Sequence, residues 1–276
     1  MNKFSVLISV YASESSKYLE LALKSIWDDQ LLKPDEIVIV KDGPLNFNLD
    51  HVIEIFRKSK PVKLVELDEN LGLGLALAIG LKNCKYDIVA RMDSDDISRF
   101  DRFSKQIPLM SKGYDVVSSW SKFFENEIDN TIATKKRPEF HEDIYKLAKR
   151  RSPVCHASSI LRKSKVIDSG NYRNVPMYED YDLWVRMLLN KSKFYNLQDY
   201  VYLIRGSNNQ FGRRGGLNYL RTEIISHINF YNLGFLNFFE LTRNLIFRIL
   251  VRTQPIVIRR KIYLLIWKIS RTSKII

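Results

Sequence analysis

The residues best able to do chemistry in this chain are acidic, and they fall into two groups. The first is Asp93, Asp95 and Asp96, within VARMDSDDISRFDR over residues 89–102. The chain carries a formal charge of +13, so a knot of carboxylates closing an apolar stretch needs a reason. Two are open: the acids start a helix near Asp101, or they hold a cation. A helix cap needs only one such residue. The second group, Glu179 and Asp180, leads YDLWVRMLL, where Leu183, Trp184, Met187 and Leu188 make an apolar helical face. Acids at a helix start are favoured by its dipole, so this pair also has a purely structural reading.

The elements that must position these acids are legible upstream. FSVLISVY (4–11), EIVIV (36–40), VKLVEL (62–67) and YDIVAR (86–91) are short, β-branched and bounded by turn formers, as strands are. Between them, apolar residues recur at helical spacing: Leu19, Ala22, Leu23, Ile26 and Trp27; Val52, Ile53, Ile55 and Phe56; Leu73, Leu77, Ala78 and Leu81. Alternation at this spacing predicts an α/β fold, with a mainly parallel central sheet flanked by helices. Ligands of such sheets lie beyond the carboxyl ends of the strands. Ser9 and Tyr11, Asp42 and Gly43, Asn70 and Gly72, and Asp93 and Asp95 all fall there. Each has a plainer use. Asp42-Gly43-Pro44 reads as a turn, and Asn70 could cap the next helix. Leu77 stands where a dinucleotide fingerprint requires glycine. Four such clusters on one edge are harder to explain by turns alone.

SVYASE, VIVKDGP, ENLGLGLALAIGL, ARMDSDDIS and MYEDYDLWVRML follow one another over about residues 4–190. In type and order they resemble the signatures of glycosyltransferase family 2, whose nucleotide-sugar-binding fold is called GT-A. The resemblance implies an inverting enzyme that moves a sugar from a nucleotide-sugar, with UDP-sugars favoured. Breaking the glycosidic bond leaves negative charge on the diphosphate, which a divalent cation offsets. Mg²⁺ or Mn²⁺ would be held through oxygen ligands, using one or two carboxylates. Asp93 and Asp95 share one side of an extended segment. By the resemblance Asp95 is the direct ligand, Asp93 contacts the ribose or a metal-bound water, and Asp96 points away. Ser9, Tyr11 and Glu14 would line the nucleoside pocket, with Asp42 on the base edge. Asn70 and Gly72 would let the backbone approach the nucleotide. Arg91 would lie near the phosphates or in a structural salt bridge. The same likeness makes Asp180 the general base, with Glu179 as support or acceptor contact, and gives His156 a phosphate or acceptor contact. A sugar nucleotidyltransferase and a non-catalytic nucleotide-sugar-binding module are the rivals. The first would want a Gly-rich, arginine-bearing loop after the first strand, and SVYASESS has none.

The remaining third is different in charge. Residues 205–276 hold 13 Lys and Arg against Glu223 and Glu240, so +11 of the +13 resides there. The basicity is therefore a local feature and does not mark the whole chain as a nucleic-acid binder. The expected division is a catalytic domain over 1–204, an active-site loop and connecting helix over 205–234, and a basic amphipathic helical tail over 235–276. Arg205, Arg213 and Arg214 lie in IRGSNNQFGRRGG, which could close on a diphosphate or serve as a solvated linker. The tail mixes aromatic and basic residues around Pro255, a pattern suited to an anionic membrane surface, although packing on the domain or in a homodimer is also open. No run reaches the roughly 18 uncharged apolar residues of a membrane span. Two cysteines, Cys84 and Cys155, make neither a disulfide framework nor a zinc site. The expected setting is the inner face of the cell membrane, with a polyprenyl-diphosphate-linked glycan as acceptor, in O-antigen or capsule assembly.

Overall fold

Four short strands rich in β-branched residues build the parallel half of the sheet. They are β1 (Phe4–Val10), β2 (Glu36–Lys41), β3 (Val62–Glu66) and β4 (Ile88–Asp93). The computed structural model describes residues 2–125, 127–206 and 216–254. The crossovers are α1 (Ser16–Ile26), α2 (Phe47–Arg57) and α3 (Leu73–Asn83), each helix too long to return antiparallel through a hairpin. β1 pairs in parallel with both β2 and β4, and its register sets Ser9 opposite Asp93. The clusters read at the strand ends therefore do share one edge.

Alternation in the strands feeds two cores. Phe4, Val6 and Ile8 of β1 face α1, α2 and α4 (Arg102–Met110), packing with Leu19, Leu23, Leu49, Ile53 and Phe103. Leu7, Val38, Val40 and Val89 point to the other face, where α3, α5 (His141–Ala148) and α7 (Glu179–Leu189) cover them. At the centre of this second core Trp184 is fully buried. Truncating such a side chain to alanine costs about 3–5 kcal/mol.

The second half of the sheet is mixed. β8 (Ile160–Arg162) runs antiparallel to β4 and to β6 (Val116–Glu125), while β6 runs parallel to β9 (Phe194–Arg205). β7 (Glu127–Lys135) pairs antiparallel with β6. The two-residue β5 (Ile97–Ser98), just after the acidic run, pairs with β9 through Ile97 and Leu203. That pairing carries the end of β9 to Asp96.

Helix α6 (Lys163–Asp168) leads towards α7, and two helices follow β9: α8 (Leu217–Asn232) and α9 (Phe238–Arg252). Residues 235–276 were expected to form a basic amphipathic helical tail, on a membrane surface or packed on the domain or a second copy. Its first part packs on the domain: Phe235 and Leu236 lie in the core with Trp184 and Tyr181, and α9 buries Asn244, Arg248 and Val251. The apolar payload at 235–236 is satisfied by the gap between α5, α7 and α8, which a bilayer would not fill. Residues from Pro255 onward lie outside the described residues, so the second tail helix does too. Among the described residues no helix is long and apolar enough to cross a membrane.

Candidate active site

β4 delivers Asp93 as its last residue, and a bend at Ser94 and Asp95 follows at once. The bend breaks the side-chain alternation of the strand. One carboxylate oxygen from each of Asp93, Asp95 and Asp96 then lies within 4.8 Å of the others. Asp96 was expected to point away; it joins the cluster instead, because the chain has turned. It is 2% exposed, and its Oδ1 accepts the backbone N–H of Arg205 at 2.8 Å. Burial, followed by the neighbouring Asp93 and Glu14 carboxylates, pushes the Asp95 carboxyl up to about 7. Asp96 is raised well above the carboxylate range, by burial and then by Asp95 and Asp93. Three crowded carboxylates whose charges are only partly answered fit a hard divalent cation.

Arg91 answers part of that charge. Its guanidinium is buried and paired with Asp93. Burial opposes its charge, yet Asp93 holds it above the usual guanidinium range. The structural salt bridge allowed for Arg91 is therefore present. The charge of the same guanidinium favours the ionised forms of Asp95, Asp96 and Glu179 and disfavours that of His156, so it is felt by both acidic groups.

Glu14 approaches from the β1–α1 connection, and its Oε2 accepts the Ser94 hydroxyl at 2.8 Å. Ser9 lies half-buried beside Asp93, and Tyr11 is exposed just beyond. Asp42 is 3% exposed and braces the next loop: its Oδ1 accepts Leu71 N–H at 2.8 Å, and its carbonyl accepts Asn70 Nδ2 at 3.2 Å. A Cβ on Gly43 would sit 2.8 Å from the Asn70 nitrogen, at a φ of +85° that other residues resist. Asn70 is not the helix cap; Gly72 occupies that position before α3.

Glu179 and Asp180 open α7, and the helix start presses on α3. A Cβ on Gly74 would lie 2.7 Å from the Arg173 carbonyl and 3.3 Å from Cβ of Glu179, so only glycine lets the two approach. Burial, then the adjacent Asp180, raises the Glu179 carboxyl to about 7. Asp180 Oδ2 accepts the Ser152 hydroxyl at 3.0 Å. His156 is held neutral by burial and by Arg91; its Nε2 meets the Tyr172 hydroxyl at 2.9 Å, and its ring packs edge-on to Trp184.

Arg205 was expected in a loop that could close on a diphosphate, or in a solvated linker. It is the last residue of β9, 8% exposed, with Nε–H donating to the Asp95 carbonyl at 2.9 Å and its guanidinium over the Tyr18 ring. A buried stacking position and a backbone acceptor fix it beneath the acidic bend. Arg213 and Arg214 lie outside the described residues. Tyr202, Ser152 and Tyr172 have no signature in the sequence around them. Tyr202, for instance, accepts the Asp93 N–H at 3.1 Å from more than a hundred residues away.

The site thus joins a parallel half-sheet, an acidic bend at its carboxyl edge and a second acidic pair at the start of α7. The family model described as "Glycosyl transferase family 2" matches residues 5–170, which holds every strand-end cluster named above. The chain belongs to glycosyl transferase family 2. It is a glycosyltransferase. The transferase is 37% identical over 263 residues to UDP-Gal:alpha-D-GlcNAc-diphosphoundecaprenol beta-1,3-galactosyltransferase of Escherichia coli, covering 95% of each chain. It is 35% identical to the amylovoran biosynthesis glycosyltransferase AmsE of Erwinia amylovora, over 94% of this chain and 97% of that one. The fold resembles the S. aureus TarS 1–349 fragment in complex with UDP-GlcNAc, with a TM-score of 0.64 and 19% identity over 82% of this chain and 66% of that one. The mannosyltransferase PcManGT of Pyrobaculum calidifontis, in complex with GDP-Man and Mn2+, matches with a TM-score of 0.58 and 15% identity over 98% of this chain and 82% of that one. These two likenesses support the GT-A fold.

Proposed function

We propose that the transferase moves a hexose from a UDP-sugar, with inversion and with a divalent cation, to a glycan carried on a polyprenyl diphosphate. What supports this reading most is the clustering of the Asp93, Asp95 and Asp96 carboxylates where β4 ends, with the Arg91 and Asp93 charges felt at Glu179. Likeness to a galactosyltransferase that uses UDP-Gal and a diphosphoundecaprenol acceptor makes UDP-galactose the first donor to test.

Asp95 and Asp93 would hold Mn²⁺ or Mg²⁺, with Asp96 completing the carboxylate wall. The ion supplies positive charge against the charge that develops on the leaving diphosphate. Arg91 pairs with Asp93 and orients it. Ser9, Tyr11, Glu14 and Asp42 border the nucleoside side, and the Asn70–Gly72 loop brings backbone close to it. On the other side Asp180 takes the proton of the acceptor hydroxyl as its oxygen attacks the anomeric carbon. The bond from that carbon to the diphosphate oxygen breaks, and its electron pair leaves with the nucleotide. One base with no second nucleophile implies inversion. Glu179 orients the acceptor.

For membrane attachment, α9 turns Phe238, Phe239, Ile246, Phe247 and Leu250 to solvent, and basic residues such as Arg259, Arg260 and Lys261 follow in the sequence. Aromatic and basic residues together suit an anionic surface on which a lipid-linked acceptor resides, at the inner face of the membrane. The decisive experiment is a screen of nucleotide-sugars for metal-dependent transfer to a short-chain GlcNAc-diphospholipid. UDP-galactose is expected to lead. Turnover unchanged in chelator, or only with purine nucleotide-sugars, would overturn the metal or the donor assignment respectively.

A further inference from the structure

We propose that α9 is a positioning element of the transfer site, tied through Glu223 to Tyr178, which precedes Glu179, and through the segment after α5 to Ser152, which donates to Asp180. The proposal rests on the reading of Asp180 as the base.

One branch runs through Glu223 of α8, which is 2% exposed. Its carboxylate accepts the hydroxyl of Tyr178 at 2.7 Å, and Tyr178 is the residue immediately before Glu179, at the N-cap of α7. From α9, Arg252 donates to the same carboxylate through Nε at 2.6 Å and Nη2 at 2.8 Å, and Arg248 lies 3.5 Å away. Burial pushes the Glu223 carboxyl up, but the Arg252 hydrogen bonds and both guanidinium charges hold it below its ordinary value. The ionised group is thus an anchor shared by three elements.

The other branch runs through the segment after α5. Asn244 of α9 donates to the Lys149 carbonyl at 2.8 Å, and Arg248 donates to the Arg150 carbonyl at 3.1 Å. Two residues further on, Ser152 donates to Asp180 Oδ2 at 3.0 Å. Both ends of the catalytic pair are therefore tied to one helix, through Tyr178 on the backbone side and Ser152 on the carboxylate side.

The chemistry of the buried face argues for positioning. A helix docked for stability alone would bury mainly apolar residues, yet α9 exposes Phe238, Phe239 and Phe247 and buries Asn244 and Arg248 beside a single buried apolar residue, Val251. Buried ion pairs add little net stability, because desolvation offsets the attraction, but they fix geometry. A base displaced by about 1 Å from the acceptor hydroxyl costs roughly 10²-fold in rate. The residues of this network belong to α7, α8, α9 and the segment after α5, apart from β1, β2 and β4 where the donor side is built.

The test compares Tyr178→Phe and Asn244→Ala with Asp180→Asn in the full chain. UDP-galactose and a short-chain GlcNAc-diphospholipid serve as substrates, and melting temperature and donor KM are followed in parallel. Tyr178→Phe removes one hydroxyl and keeps the ring, while Asn244→Ala cuts the second branch. Each is expected to lower kcat about tenfold or more, with donor KM within about twofold and folding retained. Wild-type kcat in both folded variants, beside an inactive Asp180→Asn, overturns the positioning role and leaves the base intact. Full activity in Asp180→Asn overturns the base itself. Loss of kcat only in step with raised donor KM and lost melting transition would reduce α9 to a structural brace and also sink the proposal.

Discussion

The backbone N–H of Arg205 lies 2.8 Å from Oδ1 of Asp96, while the Arg205 side chain holds the Asp95 carbonyl. The end of the ninth strand thus sets the shape of a bend built more than a hundred residues earlier. Removing the outer partner of a metal site typically lowers metal affinity by about 10–100-fold. Arg205→Ala is expected to weaken Mn²⁺ binding by that order without removing a ligand. A titration of activity against Mn²⁺ reads it directly, and an unchanged midpoint would show that the brace is dispensable.

Asp95→Ala should abolish transfer, and Asp93→Ala should reduce it severely and also free Arg91 of its partner. Chelation should mimic Asp95→Ala in the wild type, with Mn²⁺ or Mg²⁺ restoring turnover. Both variants should remain folded by circular dichroism. An Asp95→Ala enzyme that still responds to added metal would move the ligand role elsewhere.

Asp180→Asn keeps size and hydrogen-bonding capacity but cannot take the acceptor proton. Its kcat should fall by roughly 10²–10⁴-fold while donor binding stays near wild type. Glu179→Gln should cost less. If the order of the two were reversed, the base would be Glu179.

The Glu179 carboxyl, raised to about 7 by burial and by Asp180, makes stability depend on pH. A folded-state value above the unfolded one gives stability that is fully present below the unfolded value, near 4.5. That stability is lost as pH rises through about 7. The metal-free wild type should therefore melt lower at pH 8 than Glu179→Gln, by up to about 3 kcal/mol in stability, and the gap should close towards pH 5. Parallel melting curves across that range would show that the charge is not buried at a cost.

Truncation separates the two halves of the basic tail. Ending the chain after Gln254 should leave turnover on the soluble acceptor and weaken flotation with anionic vesicles, since each lost Lys or Arg contributes about 1 kcal/mol near such a surface. Ending it before Phe235 should instead give insoluble protein, because Phe235 and Leu236 are core residues. Equal flotation of the full chain with neutral and anionic lipid, or no loss on truncation after Gln254, would remove the electrostatic part of the membrane reading.

Much of this protein was legible locally. Strand alternation and helical spacing are short-range properties, so β1 to β4 and α1 to α3 lie where the residue pattern puts them. The carboxyl-edge rule then brings Ser9, Asp42, Asn70 and Asp93 to one side without any knowledge of packing. Residues whose roles depend on chain segments meeting across long separations were not legible. Asp96 was misread because a bend at Ser94 and Asp95 overrides alternation. Arg205 was assigned to a loop because Gly and Asn follow it, while the pairing of β5 with β9 draws it under the bend. Phe235 and Arg248 belong to a stretch whose mix of aromatic and basic residues left a membrane surface, the domain and a homodimer all open as partners, and only packing put these two inside. Only the packed fold put Glu223 between Tyr178 and Arg252, a partnership that no spacing along the chain encodes.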